Sequence, residues 1–268
     1  MTIAIDPILI AVGPLQVRWS AVFTALALVA GWLVARRWGA AAGLRFVSTA
    51  LPAALVIAAG IVVGRAAVLV ERPDLLRRGV AFAAVLAQGG ISLPAAALGG
   101  AAALMVWAWL DKHSPARALG AAAGGLLVGE AIASVGLLLS GDYAGPITDL
   151  PWAVSYTRPD AGVPATLVGR NVHPLALYAL LWSGAAVGWL WIVWPERTIG
   201  ERWSLAALAY GLGHLGIGYA RLDPVWLLGL RGDQFFGLVW IVIGVVGLIA
   251  GGKRVIRVVA STTGEPVR

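Results

Sequence analysis

The sequence contains no cysteine. That excludes a disulfide framework, a thiol nucleophile and a thiolate metal site, although it does not identify a compartment. Charge is also scarce. Only 12% of residues are Asp, Glu, Lys or Arg, against 60% hydrophobic ones, and the mean hydropathy is +0.86. No water-soluble domain of 268 residues could cover its surface with so few charges. There is no Ser/His/Asp spacing, metal-ligand motif or phosphate-cradling glycine loop. There is also no internal repeat of the kind that marks the halves of a transporter. The residues before Val17 lack a basic stretch followed by a short apolar region and cleavage site, so no removable signal peptide is expected.

What remains is apolar length. Runs of about twenty hydrophobic residues recur, and about twenty are needed to cross the hydrocarbon core as a helix. The expected fold is all-α, a polytopic membrane protein with seven transmembrane helices near 17–35, 50–70, 85–109, 118–140, 174–194, 203–221 and 234–251. Gly89, Gly90 and Pro94 interrupt the third, which marks a re-entrant or unwound stretch there. The 35 glycines suit close helix contact, and Gly60/Gly64, Gly120/Gly124, Gly125/Gly129 and Gly184/Gly188 have the four-residue spacing of packed small residues. Trp19, Trp38, Trp107, Trp109, Trp194 and Trp203 read as an aromatic belt near the span ends.

Charge sets the orientation. With these spans, one side carries eleven cations and four acids, while the other carries eight of each, so the whole net charge of +7 falls on one side. The positive-inside rule makes that side cytoplasmic. The N-terminus is then outside and the C-terminus inside. The chain reads as a single membrane domain over 1–268, with an external cap at 141–173 and a basic cytoplasmic tail at 252–268. The pI near 10.5 follows from the inside loops and their attraction to anionic headgroups, so no nucleic-acid partner is expected.

Polar residues within the spans are the candidate site. A charge near the bilayer centre costs about 2.5–3.5 kcal/mol even on the lenient insertion scale. Arg65 and Glu130 therefore either pair with each other or serve a headgroup. In the expected topology Arg65, Gln88, Ser92, Glu130, Ser134, His173, Tyr178, His214, Arg221 and Gln234 all fall in the outer half. A cavity open to the outer leaflet, with arginines for a phosphate, fits an amphiphilic ligand. His173, at a helix start before Pro174, can cap that helix or exchange a proton. His214 can equally be a satisfied interior residue, and His113 is incidental. Residues 141–178 form the long polar connection, and long loops within a compact fold are usually functional or disordered.

Several segments resemble one family. Residues 6–19, DPILIAVGPLQVRW, are similar to a Pro-containing start followed by G-P-x-x-x-R-W in the prolipoprotein diacylglyceryl transferases. Residues 63–70, VGRAAVLV, and 89–100, GGISLPAAALGG, resemble its second- and third-helix segments. Residues 141–154, GDYAGPITDLPWAV, resemble G-E-x-x-G-x-x-x-D-x-P-W-A-V, and residues 173–178, HPLALY, resemble H-P-x-Q-L-Y. Tyr210-Gly211 and Gly232-Asp233-Gln234 fit its last two helices. The resemblance runs from about residue 6 to 251.

The resemblance implies a bacterial cytoplasmic (inner) membrane enzyme. It would transfer diacylglyceryl from phosphatidylglycerol to the lipobox cysteine of a preprolipoprotein, and no cofactor or metal is expected. The thiol attacks the glyceryl carbon, and glycerol phosphate leaves. The expected catalytic residues are His173, His214 and Arg221. The expected substrate-binding residues are Arg65, Glu130, Ser134, Asp142, Arg170, Tyr178 and Gln234. Pro94 stands at a family histidine, Ser134 at the signature arginine, Asp142 at a glutamate, His214 at an arginine and Gly218 at a glutamate. Glu130 occupies no family acidic position; it and Arg170 are candidates to compensate. The alternative is a relative that binds phospholipid or precursor without transfer.

Overall fold

The structure, a computed structural model, describes residues 1–12, 15–41, 43–44, 50–72, 91–193 and 197–263. Among these residues seven long helices run in chain order: α1 Trp19–Ala41, α2 Ala50–Glu71, α3 Leu93–Leu110, α4 Pro115–Ser140, α5 Leu175–Val193, α6 Ile199–Gly218 and α7 Gly232–Thr263. Six are long and apolar enough to cross a membrane. The exception is α6, which carries Glu201, Arg202 and His214. Its inner faces are buried by neighbouring helices, so it need not present an apolar surface all round.

Local signals explain where these helices begin and end. Pro94 lies in the first turn of α3, where its missing N–H is harmless. It stands in the first turn of this helix, at the interruption expected from the sequence, while the expected start at 85 and Gln88, Gly89 and Gly90 lie outside the described residues. Helix α6 begins four residues earlier than expected because Thr198 and Glu201 form a reciprocal capping box. Helix α4 ends at Gly141, whose φ of 75° sends the chain away from the axis.

Helix α4 is the hub, packing on α1, α3, α5 and α6. Small residues make this possible. Gly31 of α1 lies against Gly125 of α4, and Gly60 and Gly64 of α2 lie against Ala96 of α3. Gly120 meets the backbone of Ile199, and Gly124 receives the Trp38 ring. Gly184 and Gly188 differ: no described atom lies within 4 Å of where their Cβ would be. Helix α5 packs through Ala179, Ser183, Ala186 and Leu190 instead, so the expected glycine contact is absent among the described residues. Trp203 is buried against Trp240 and is not a belt residue.

The all-α expectation needs one addition. Among the described residues five short strands lie outside the helices: β1 Thr2–Ile3, β2 Ile8–Val12, β3 Leu15–Arg18, β4 Val154–Tyr156 and β5 Asn171–Val172. Strands β2 and β3 form an antiparallel pair, while β1, β4 and β5 form a sheet with β4 central. The connection 141–173 is thus ordered and joined to the start of the chain. Arg18 ties it down through Asp142 at 2.8 Å and the Asp160 carbonyl at 2.6 Å. Tyr156 donates to the Leu138 carbonyl of α4 at 2.8 Å. Burial, then the nearby Asp142 charge, pushes the Tyr156 phenol well above its usual range. Its neutral form therefore favours the folded state fully below about pH 10, and this contribution is lost as pH rises through the raised folded value. In an alkaline absorbance titration, the Tyr156 phenolate should appear late, as its segment opens, and Tyr156→Phe should reduce the late amplitude by one tyrosine.

Candidate active site

Helices α2, α4, α6 and α7 bring together ionisable groups that lie far apart in sequence. Glu130 projects from α4, and its two oxygens face His214 and Tyr210 of α6. His214 Nε2 is 3.5 Å from Glu130 Oε1, and Tyr210 Oη is 3.4 Å from Oε2. On the other edge of the imidazole, Nδ1 is 3.7 Å from Asp233 Oδ2, in the first turn of α7. The side chains of His214, Glu130 and Asp233 are only 5%, 8% and 9% exposed, so this is a buried, alternating row of carboxylate, imidazole and carboxylate.

Packing fixes the row. The rings of Tyr210 and His214 lie 4.5 Å apart, and Tyr210 meets the fully buried Trp240 edge-on at 5.4 Å. Trp240 donates to the Pro94 carbonyl at 2.9 Å, tying α7 to the start of α3. Buried ionised groups persist only where partners surround them, and here each group has one on either side.

Beyond Asp233 the row continues into the connections. The Tyr143 hydroxyl donates to Asp233 Oδ2, and the Arg221 guanidinium lies 4.3 Å from the Tyr143 ring centroid. Arg221 Nε is 3.7 Å from Asp233, and the same guanidinium pairs with Asp223. Burial works against the Arg221 charge, yet Asp233 and then Tyr143 and Asp223 hold its proton above the ordinary range. Burial, reinforced by Asp233, pushes the Tyr143 phenol well up, so it remains a neutral donor. Arg72 reaches Asp223 at 3.2 Å, and Glu71 closes against Gly232 at the start of α7.

An apolar cavity of about 310 Å³ adjoins this row, between α1, α2, α3 and α4. Ala27, Gly60, Ala96 and Gly129 are among its walls, and Glu130 and Tyr210 form its polar edge.

The residues expected from sequence fall into three groups. Glu130, His214 and Arg221 join the row. His173 and Tyr178 form a second cluster where the 141–173 connection meets the first turn of α5, with His173 Nδ1 3.1 Å from the Tyr178 hydroxyl, which also accepts from Trp152. The others are placed elsewhere. Ser134 donates to the Glu130 carbonyl of its own helix, and Gln234 accepts the Arg231 amide that precedes α7. Asp142 pairs with Arg18, Arg170 is exposed, and Arg65 is half-buried six residues before the end of α2. Both Glu130 oxygens face α6, so of the two alternatives the Arg65–Glu130 pairing is not the arrangement at this carboxylate.

Sequence reasoning missed Asp233, Tyr143, Tyr210, Glu71 and Asp223. Asp233, Tyr210 and Tyr143 lie within segments that carried the family resemblance, but none was read as a site residue.

Fold and site together define a polytopic membrane protein with a buried ionisable centre set against an apolar cavity. The family model for prolipoprotein diacylglyceryl transferase matches residues 7–250. The chain belongs to that family. Similar curated proteins are the phosphatidylglycerol–prolipoprotein diacylglyceryl transferases of Acaryochloris marina, 29% identical over 90% of this chain and 89% of that one, and of Gloeobacter violaceus, 33% identical over 60% and 61%. The enzyme of that name from Dehalococcoides mccartyi is 27% identical over 91% of this chain and 92% of its own length.

Proposed function

We propose that this protein transfers diacylglyceryl from phosphatidylglycerol to the lipobox cysteine of preprolipoproteins in the bacterial cytoplasmic membrane. The observation that carries the reading is the apolar cavity edged by Glu130 and continuous with the buried row at the ends of α6 and α7. The cavity suits acyl chains, and the row supplies both a cation and proton acceptors.

The topology that fits is seven spans with the N-terminus outside and the C-terminus cytoplasmic. Strand β1 precedes α1 and pairs with β4, which follows α4; four crossings return the chain to the side it left. The segment 141–173 is then an external cap, and 252–268 a cytoplasmic basic tail.

In this reading Arg221 stabilises the charge that develops on the departing phosphate. Arg65 supports the headgroup, and Glu130 edges the chamber. His214 and His173 are the proton-exchanging candidates, with Tyr178 beside His173. Ser134, Asp142 and Gln234 hold the backbone and cap that frame the site, and exposed Arg170 meets the incoming peptide.

The test is transfer of labelled lipid to a lipobox substrate, in membranes depleted of the host's own transferase and expressing this chain. Label on the substrate cysteine is expected. Absence of transfer, with the protein folded in those membranes, would overturn the reading.

A further inference from the structure

Attack by the cysteine requires that its S–H bond break as the S–C bond forms. At this saturated carbon the C–O bond to phosphate breaks in the same step, and its electron pair leaves on the phosphate oxygen. One proton must therefore go somewhere other than sulfur. An apolar cavity offers few acceptors, and Glu130 is the carboxylate on this cavity's edge.

Resting on the transfer reading above, we infer that Glu130, His214 and Asp233 form a proton relay that takes the thiol proton from the cavity and passes it to the capped end of the bundle. The geometry orders the steps. Glu130 meets the cavity on one side and His214 Nε2 on the other, at 3.5 Å. His214 presents its second nitrogen to Asp233 at 3.7 Å, and that Nδ1 has no hydrogen-bond partner among the described residues. Asp233 sits at the start of α7, beside Arg221 and Tyr143 in the connections. Catalytic hydrogen bonds are often long before substrate binds and tighten in the reacting complex.

Glu130 accepts the proton, and the imidazole takes it at Nε2 while yielding its Nδ1 proton to Asp233. Release to water at the cap, followed by the reverse tautomer exchange, resets the ring. An imidazole between two carboxylates suits this role because protonation at one nitrogen makes the N–H at the other acidic near neutral pH. The groups facing His214 are Glu130 from α4, Tyr210 from its own helix, Asp233 from α7, and Arg221 from the α6–α7 connection. Tyr143 and Glu71 face it only through Asp233. Glu130 is the catalytic residue here, and Asp233 acts through His214 as a positioning residue.

The experiment compares a lipobox peptide carrying cysteine with one carrying selenocysteine, whose selenol ionises at neutral pH without a base. Glu130→Gln should lower the maximal rate with the thiol peptide about a hundredfold, a typical loss for a general base, and leave KM nearly unchanged. The selenol peptide should recover most of that rate. The remaining thiol activity should rise as pH approaches the free thiol pKa of about 8.5. Asp233→Asn should show a smaller loss of the same kind, and should shift the ¹⁵N signals of His214 in histidine-labelled protein.

An equal deficit with both peptides, or a wild-type rate in Glu130→Gln, would overturn the relay. Wild-type protein offers the same test without substitution. Its rate should fall in D₂O with the thiol peptide but not with the selenol, and equal isotope effects would also overturn the relay. If wild type transfers lipid to neither peptide, the transfer reading itself fails.

Discussion

Replacing Arg221 with alanine is expected to lower diacylglyceryl transfer at saturating phosphatidylglycerol by about a hundred- to a thousandfold, the usual loss when one stabilising donor is removed from developing negative charge. The guanidinium lies over the Tyr143 ring and pairs with Asp223, so its plane is fixed before substrate arrives. Fixed donors need no reorganisation as the phosphate becomes a better acceptor, and an enclosed site strengthens the interaction. Two effects are entangled in this substitution, because Arg221 also faces buried Asp233. Removing one partner from a buried pair costs roughly 3–5 kcal/mol, so Arg221→Ala should also melt at a lower temperature in detergent. Arg221→Lys separates them. It keeps a cation near Asp233 and should recover much of the stability, but it lacks the planar fork and should remain slow. Wild-type transfer by Arg221→Lys would show that guanidinium geometry is not used.

The second large effect concerns packing and requires no assumption about substrate. A methyl group on Gly120 would overlap the carbonyl oxygen of Ile199, so Gly120→Ala must push α4 away from the start of α6. Because the obstacle is backbone, no rotamer change can relieve it. Overpacking typically costs about 1–3 kcal/mol and occasionally more, and this site belongs at the upper end. Glu130 and His214 lie further along these same two helices, so displacement here also disturbs the row between them. The expected result is a large loss of folded protein in a detergent thermal-aggregation assay. Gly184→Ala and Gly188→Ala are the matched controls, since their Cβ positions meet no described atom. Equal behaviour of all three variants would mean that α4 and α6 do not pack closely at Gly120.

The spans were the easier part to read. Residues 118–140 and 174–194 are long apolar runs, and the helices found there, Pro115–Ser140 and Leu175–Val193, differ by only a few residues. Apolar length determines where a membrane helix lies, but caps determine its ends. The Thr198–Glu201 box moved one start, and Pro94, read as an interruption, stands in the first turn of α3. Glycine spacing found the contacts at Gly60 and Gly125, yet it could not tell that the Gly184 face is left open.

The site was legible only in part. Glu130, His214 and Arg221 stood out because ionisable residues within or beside spans are expensive. Their partners did not, because pairing across 80 or 90 positions depends on which helices pack together and at what rotation. Asp233 looked like one more outer acid until the first turn of α7 carried it inward. In Gly141-Asp142-Tyr143, the loop has no periodicity to say which neighbour points in. The charged residue went to Arg18 at the surface, and the tyrosine went to the buried carboxylate.

The pairing of β1 with β4 also constrains the order of assembly. Thr2 and Ile3 are made early, but their partners Ser155 and Tyr156 emerge only after four helices have been synthesised. Until then the first strand has no neighbour, and closing a loop of that length is entropically slow to reward. The cap is thus a late event in biogenesis. A ribosome-bound chain that stops after α4 should insert those helices yet leave its opening segment open to protease, and protection should appear only once 154–172 has been added.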